Sequence, residues 1–329
     1  MTPPITSIGL LDPDQVKSVL GAAVLAPSTR NTQPWRFRCT AAGIELHADP
    51  DRALPVADAG RRELLLSCGA ALFNLRTAIH ALGAHPATTL LPRREDPTLL
   101  AVVRPFAARK PDRRLVRLAD AIPRRHTNRN PFEADVIPDT VVAELRHAAE
   151  AEQAWLPRMD ANQLDRLRDL VHKSHRTQVA DPAFLAEWRH WTTRPRDSRD
   201  GVPEYAADGM PSDDGDWILR DFGSPRRGLA DGSDPLVVVL GSFDDKQADR
   251  IRAGQAMQRV LLTATAAGFD ASFLSQPVEV PAVRAELRTL LGGGLWPQVV
   301  LRFGRRTPAP WAPRRSLDEV LLKPDRLSA

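Results

Sequence analysis

The sequence predicts an α+β fold built as two diverged halves that form an intramolecular pseudo-dimer. Long helical runs alternate with short strand-like segments along most of the 329 residues. Shifting the chain by 185 residues lays Gly69, Ala71, Ala81 and Gly83 on Gly254, Ala256, Ala266 and Gly268, each set within a long helix that ends in glycine ahead of a strand. Small residues at matched turns let two such helices approach closely, and two similar halves then pack as a dimer does. The composition, 43% hydrophobic and 26% charged with only two cysteines, supports a large core and excludes disordered, collagenous and disulfide-stapled classes.

Each element has a local reason. Asp12 is a good N-cap, Pro13 suits the first helical position, and Val16, Val19, Leu20, Ala23 and Val24 recur at helical spacing until Pro27. An irregular loop from Ser28 to Pro34 leads to strand-like segments at Trp35–Cys39 and Ile44–Ala48, then to an apolar helix from Arg61 to Leu82 closed by Gly83. Extended segments follow at Ala87–Leu91 and Leu100–Arg104. The basic, proline-punctuated stretch Arg109–Pro131 is the candidate boundary, dividing the chain into 1–120 and 121–329.

Helical patterns at Thr140–Ala151 and Leu164–His175 open the second half. Periodicity then lapses from Thr192 to Asp234, a stretch rich in Gly, Pro and Asp that still carries Tyr205, Met210, Trp217 and Phe222. Long loops of this kind inside compact domains tend to be lids or binding loops, so 192–234 is read as a lid insertion. Order resumes with a buried strand at Pro235–Gly241, a helix at Lys246–Ala267, a strand at Ala271–Leu274, a helix at Pro281–Leu291 and a strand at Gln298–Phe303.

The net charge is +4 with a pI near 9.5, and 40 of the 45 basic residues are arginine, the side chain suited to forked phosphate contacts. Basic residues alternate with aspartate along 194–200 and show no repeated interleaving with aromatics, so nucleic acid is not expected as a partner. No apolar run approaches the ~20 residues that span a bilayer, and residues 1–6 offer neither a basic nor an apolar targeting region. The expectation is a cytoplasmic protein without a membrane partner. His172 and His175 lie three apart but have no evident third ligand, so no metal site is expected. Gly292-Gly293-Gly294 reads as a helix end and turn, and no Gly-x-Ser-x-Gly elbow occurs.

Three stretches carry chemistry. The first is Ala26-Pro27-Ser28-Thr29-Arg30-Asn31-Thr32-Gln33-Pro34-Trp35, in which a hydroxyl and two carboxamides sit on a loop stiffened by prolines. The second, Arg124-Arg125-His126-Thr127-Asn128-Arg129, combines guanidinium and hydroxyl donors of the kind a dianionic phosphate rewards. Each occurs in one half only. The third, Ser272-Phe273-Leu274-Ser275-Gln276-Pro277, follows the second long helix, and Arg314-Arg315-Ser316 adds cations near the C-terminus.

Together these stretches resemble the FMN-dependent nitroreductase family, and over most of the chain its single-chain, Acg-like subgroup. The resemblance implies a nitroreductase-like fold with one FMN per chain, bound non-covalently, and NAD(P)H as a possible reductant. It implies that Pro27, Ser28, Asn31 and Gln33 wrap the flavin from one half while Arg125, His126, Thr127 and Arg129 hold it from the other, with a second, vestigial site. It further implies that backbone N–H groups of Phe273, Leu274, Ser275 and Gln276 face the flavin edge and that Arg314 or Arg315 supplies a phosphate cation, with Arg305 and Arg306 as rivals. No catalytic side chain is demanded, because the flavin carries the chemistry. Hydride would pass from NAD(P)H to flavin and on to a nitroaromatic or quinone-like acceptor. The other reading is an FMN-sequestering or stress protein with a lid-covered flavin and little turnover. In solution the chain is expected as a monomeric pseudo-dimer or a weak homo-oligomer.

Overall fold

A computed structural model describes residues 5–128, 132, 136–192, 194–195, 197–202, 236–305 and 311–323. Helix α1 (Pro13–Val24) starts as its cap dictates: the Asp12 carboxylate accepts from Gln15 N while the Gln15 side chain accepts from Asp12 N. Its apolar stripe lies on helix α2 (Arg62–Ala81), which is buried along nearly its whole length. Strands β1 (Trp35–Thr40), β2 (Gly43–Ala48), β3 (Ala84–Leu90) and β4 (Leu99–Ala108) form an antiparallel sheet in the order β1-β2-β4-β3.

The second half repeats this plan. Helix α3 (Arg113–Ala121) bridges into it, and α4 (Asp139–Glu150) packs on α7 (Gln247–Ala266) as α1 packs on α2. Strands β5 (Leu236–Ser242), β6 (Phe269–Phe273) and β7 (Trp296–Arg305) form a sheet in the order β5-β7-β6. Residues 155–159 extend it beyond β5, with Trp155 and Gly241 exchanging N–H···O bonds of 2.9 Å and Met159 N donating to Val237 O. Helices α5 (Ala161–Val179) and α6 (Pro182–Thr192) form an excursion between α4 and β5, and the short α8 (Gln276–Glu279) and α9 (Pro281–Leu290) separate β6 from β7. Helix α10 (Leu317–Val320) precedes a C-terminal segment that returns to the first sheet, where Leu322 N donates to Phe37 O at 2.7 Å.

Helices α2 and α7 are the axis of the molecule, and their first and last residues differ by the 185-residue offset. They touch backbone to backbone. A Cβ on Gly69 would collide with the carbonyl of Ile251, and a Cβ on Gly254 would collide with the carbonyl of Leu66. Ile251 is the offset partner of Leu66, so the contact is reciprocal in the manner of an isologous interface. Beside it, the buried Gln258 Nε2 donates to Asn74 Oδ1 at 2.7 Å.

Three helices extend the sequence reading. The stretch Arg109–Pro131 is not simply a linker, because it folds into α3, whose Leu118 and Ala121 join Phe73 and Leu262 in one apolar cluster against both central helices. Helix α6 lies in a region that the periodicity leaves unassigned. Helix α2 is long and apolar enough to cross a membrane, but 83% of its most apolar window is buried inside the protein, as a core helix requires. Of the expected lid at 192–234, residues 193, 196 and 203–234 lie outside the described residues.

Candidate functional site

Beyond α1 the chain enters a loop in which Arg30, Asn31 and Gln33 all adopt left-handed backbone, with φ of 50°, 55° and 50°. Such conformations cost roughly 1–3 kcal/mol each for non-glycine residues and persist only where the surroundings over-determine them. Here they do. Ser28 Oγ accepts from Gln33 N at 2.9 Å. Asn31 Nδ2 donates to Gly201 O and Pro313 O, and its Oδ1 accepts from Arg314 Nη1 at 3.0 Å. The fully buried Gln33 donates to Arg199 O at 2.8 Å and accepts from Arg315 N at 2.8 Å.

This loop forms one wall of a crevice between the halves. Its outer part is polar: Ser28, Asn31, Arg125, His126, Thr127 and Arg314 line it, with Trp311 at the rim. Arg125 emerges from the turn after α3 and is 4% exposed. The His126 ring lies beside the fully buried Asp270 carboxylate, 3.3 Å from Nε2. Its inner part holds about 1000 Å³ of empty space, counting the open mouth, and shares Pro27, Ser28 and Thr127 with the outer part. Apolar walls dominate there: Leu66 of α2, Met257 of α7, Phe273 and Leu274 at the end of β6, and Val299 and Val300 of β7. Ser275, Gln276 and Val278 complete that side.

A roof closes over the inner part, formed by Trp188 of α6 and by Val202. It is tied to the first half. The Arg30 guanidinium pairs with Glu187 at 2.7 Å and sits about 5 Å from the ring centres of both Phe184 and Trp188. Glu187 also accepts from Val56 N and Ala57 N, while Asp200 pairs with Arg52.

Behind the inner part lies a buried polar network. Gln298 Nε2 donates to Ser242 Oγ and Asp245, each at 2.9 Å, whereas its buried Oε1 has no partner among the described residues. Burial pushes the Asp245 carboxyl upward, but hydrogen bonds from Arg284, Arg250 and Gln298 outweigh it and hold the group below the usual carboxylate range. For Arg62 burial itself lowers the pKa, against the pull of Glu63.

Most of the expected residues therefore converge: Pro27, Ser28, Asn31, Arg125, His126, Thr127, Phe273, Leu274, Ser275, Gln276 and Arg314 all line the crevice. Two do not. Gln33 and Arg315 lie behind the loop, satisfying one another and the Glu319 carbonyl, so they hold its shape without facing the cavity. The Leu274 N–H is likewise spent on Val300 O at 3.0 Å, which removes it as a donor to a bound molecule. Arg129 lies outside the described residues.

The profile described as "Nitroreductase family" matches residues 122–305. The chain belongs to the nitroreductase family. Among its relatives, a Mycobacterium tuberculosis protein provisionally named NAD(P)H nitroreductase Rv3131 is 36% identical over 331 residues, which cover 96% of this chain and 93% of that protein. Another from the same organism, provisionally named NAD(P)H nitroreductase Acg, is 32% identical over 320 residues, covering 93% and 95%. Of solved structures, the FMN-dependent nitroreductase NfnB from Mycobacterium smegmatis in complex with NADPH is similar at 18% identity and a TM-score of 0.39, covering 62% of this chain and 97% of that one.

In this nitroreductase-family crevice, several lining residues escape sequence reasoning. Arg30 stands within the recognised loop, but nothing local marks it as the tether of the roof. Glu63, Met257 and Gln298 are single residues on regular elements and reach the cavity only through helix and sheet packing. Trp188 had a usable signal: Phe184, Trp188 and Trp191 recur at helical spacing.

Proposed function

We propose that this protein is an FMN-dependent oxidoreductase that takes hydride from NAD(P)H and delivers it to a nitroaromatic or quinone-like acceptor. The observation that carries the reading is the continuity of the crevice, cationic and hydroxyl-rich at one end and apolar at the other, with Pro27, Ser28 and Thr127 common to both. That donor set fits FMN. Arg125 and Arg314 supply charge-assisted donors for a phosphate, and Ser28 and Thr127 supply hydroxyls for it and the ribityl chain. Leu66, Met257, Phe273 and Val300 offer apolar surface to a flat ring, and Gln298 Oε1 is a buried acceptor suited to a ring N–H.

When bound, FMN supplies the two-electron chemistry. The chain's own residues bind, orient and shield. His126, beside Asp270, forms part of the outer wall, and Trp188 and Val202 exclude water from the ring end. The halves 1–120 and 121–329 act as a fused pseudo-dimer with one complete flavin site per chain, a reading supported by the reciprocal Gly69 and Gly254 contact and by the family match starting at residue 122. We place the protein in the cytosol, as a monomer or weak homo-oligomer, with neither nucleic acid nor a membrane as partner.

One observation favours the second reading, flavin storage with little turnover: the roof is fastened by a buried ion pair rather than resting on the surface. The visible spectrum of the purified protein, followed anaerobically after adding NADPH, separates the two. Yellow protein that bleaches supports the oxidoreductase. Yellow protein that stays yellow supports storage, and colourless protein that takes up no added FMN overturns both.

A further inference from the structure

The two-half plan places a second crevice where the 185-residue offset says it must be. Thr88, Thr89 and Leu90 line it from β3, and their offset partners Phe273, Leu274 and Ser275 line the first crevice. Arg252 of α7 stands where Ser67 of α2 stands in the first. Helices α1 and α4 are both 12 residues long, and the residues just after α4, Ala151 to Gln153, contribute here as Pro27 and Ser28 contribute after α1.

The chemistry has changed while the frame has not. Leu274 gives way to Thr89, Ser67 to Arg252 and Ala70 to the buried Gln255, so a flat apolar ring loses its surfaces. Charge takes their place. Arg76 and Arg259 converge on Glu152 at 3.0 and 2.9 Å, and Arg76 also reaches Gln255 Oε1. Among the described residues Arg252 is tied only to Asp249 of its own helix, at 3.3 Å, and keeps 43% of its side chain exposed. Three guanidiniums thus meet two carboxylates among the described residues, leaving one positive charge uncompensated near the Thr89 hydroxyl, whereas the Thr88 hydroxyl donates to Pro86 O at 3.0 Å. The buried Nε of Arg76 has no hydrogen-bond partner among the described residues.

We propose that this second crevice binds a small oxyanion-bearing ligand, a carboxylate or phosphate compound without a flat apolar ring, held by Arg252, Arg76 and the Thr89 hydroxyl. Guanidinium and hydroxyl donors around an open, polar cleft recognise that class, and the Arg76–Glu152–Arg259 cluster bars flavin from the same space. The assignment stands on the offset and the side chains, and does not depend on what fills the first crevice.

The test is isothermal titration of the purified, flavin-loaded protein with inorganic phosphate and, separately, with succinate. We expect saturable binding of at least one of them at one equivalent per chain, weakened about tenfold by Arg252→Gln, as loss of a charge-assisted hydrogen bond implies, with flavin content unchanged. Thr89→Val, an exposed strand position, gives a second variant that leaves the ion-pair cluster intact and should weaken binding in the same direction. Phosphate without succinate binding marks a phosphate ligand, and the reverse marks a carboxylate. Absence of saturable binding by either anion overturns the proposal. So does binding that survives both substitutions, or that is abolished by Arg125→Ala alone, since the anion would then occupy the first crevice.

Discussion

The two crevices share a frame and differ in what they can hold. In the first, apolar side chains of α2, α7, β6 and β7 make surfaces for a ring, and the cations are gathered at one end. In the second, charged side chains occupy the middle and pair with each other. The two halves therefore share backbone geometry more strictly than site chemistry, because the helix contact at Gly69 and Gly254 lies between them while each lining residue serves only one crevice.

The largest effect should come from that shared contact. Gly254→Leu drives a side chain into the Leu66 carbonyl, and backbone cannot yield as a flexible side chain can. We expect a loss of roughly 3–5 kcal/mol in denaturant unfolding, with both crevices damaged together. A variant that keeps wild-type stability would show that the halves tolerate separation.

Next comes a change confined to one crevice. Arg125→Ala should weaken FMN binding by about 1.5–3 kcal/mol, the value of a hydrogen bond to a charged group, while riboflavin binding barely changes. Equal losses for both ligands would assign Arg125 another role. Flavin absorbance against protein mass should give one FMN per chain, and two would erase the distinction between the crevices.

The roof offers a third comparison, since the Arg30–Glu187 pair belongs to the first crevice alone. Glu187→Gln removes the carboxylate that pairs with the buried Arg30 guanidinium and should loosen the roof. Faster FMN release in stopped-flow, with both flavin reduction and release accelerated together, is the expected signature. Unchanged rates would make the roof a fixed wall.

Asp245 supplies a smaller, pH-dependent effect. Its offset partner is Gly60, so only the second half carries the Arg250–Asp245–Arg284 cluster. A carboxyl held below its unfolded value of about 3.9 stabilises the native state above that pH, and the contribution fades as pH falls through the lower native value. Asp245→Asn should flatten the fall in melting temperature below about pH 4. The smallest effect concerns Cys39, whose thiol burial pushes up to about 11, so alkylation at neutral pH should be slow in the native protein and fast once it is unfolded.

How much the sequence revealed depended on how local each signal was. Helices α2 and α7 were legible to within a residue or two because glycines close them and apolar side chains fill them. Helix α3 was obscured by prolines and arginines: only one thin face, Leu118 and Ala121, is buried. In the site, Ser28, Arg125 and Thr127 were legible because loop chemistry is written in consecutive residues. Gln33 was misplaced because a carboxamide that satisfies backbone and one that faces a ligand look alike in sequence. Met257 and Gln298 were unreadable because regular elements must first pack to bring them in.

The recognised loop has a consequence for the order in which the protein becomes competent. Its left-handed residues are held by Gly201 and Arg199, and finally by Pro313, Arg314 and Arg315. Those last residues leave the ribosome nearly three hundred positions after Asn31, as the numbering shows. A nascent chain can thus complete the first sheet and both central helices and still lack a finished crevice, so the ability to hold a ligand arrives only once residues 313–315 have been made.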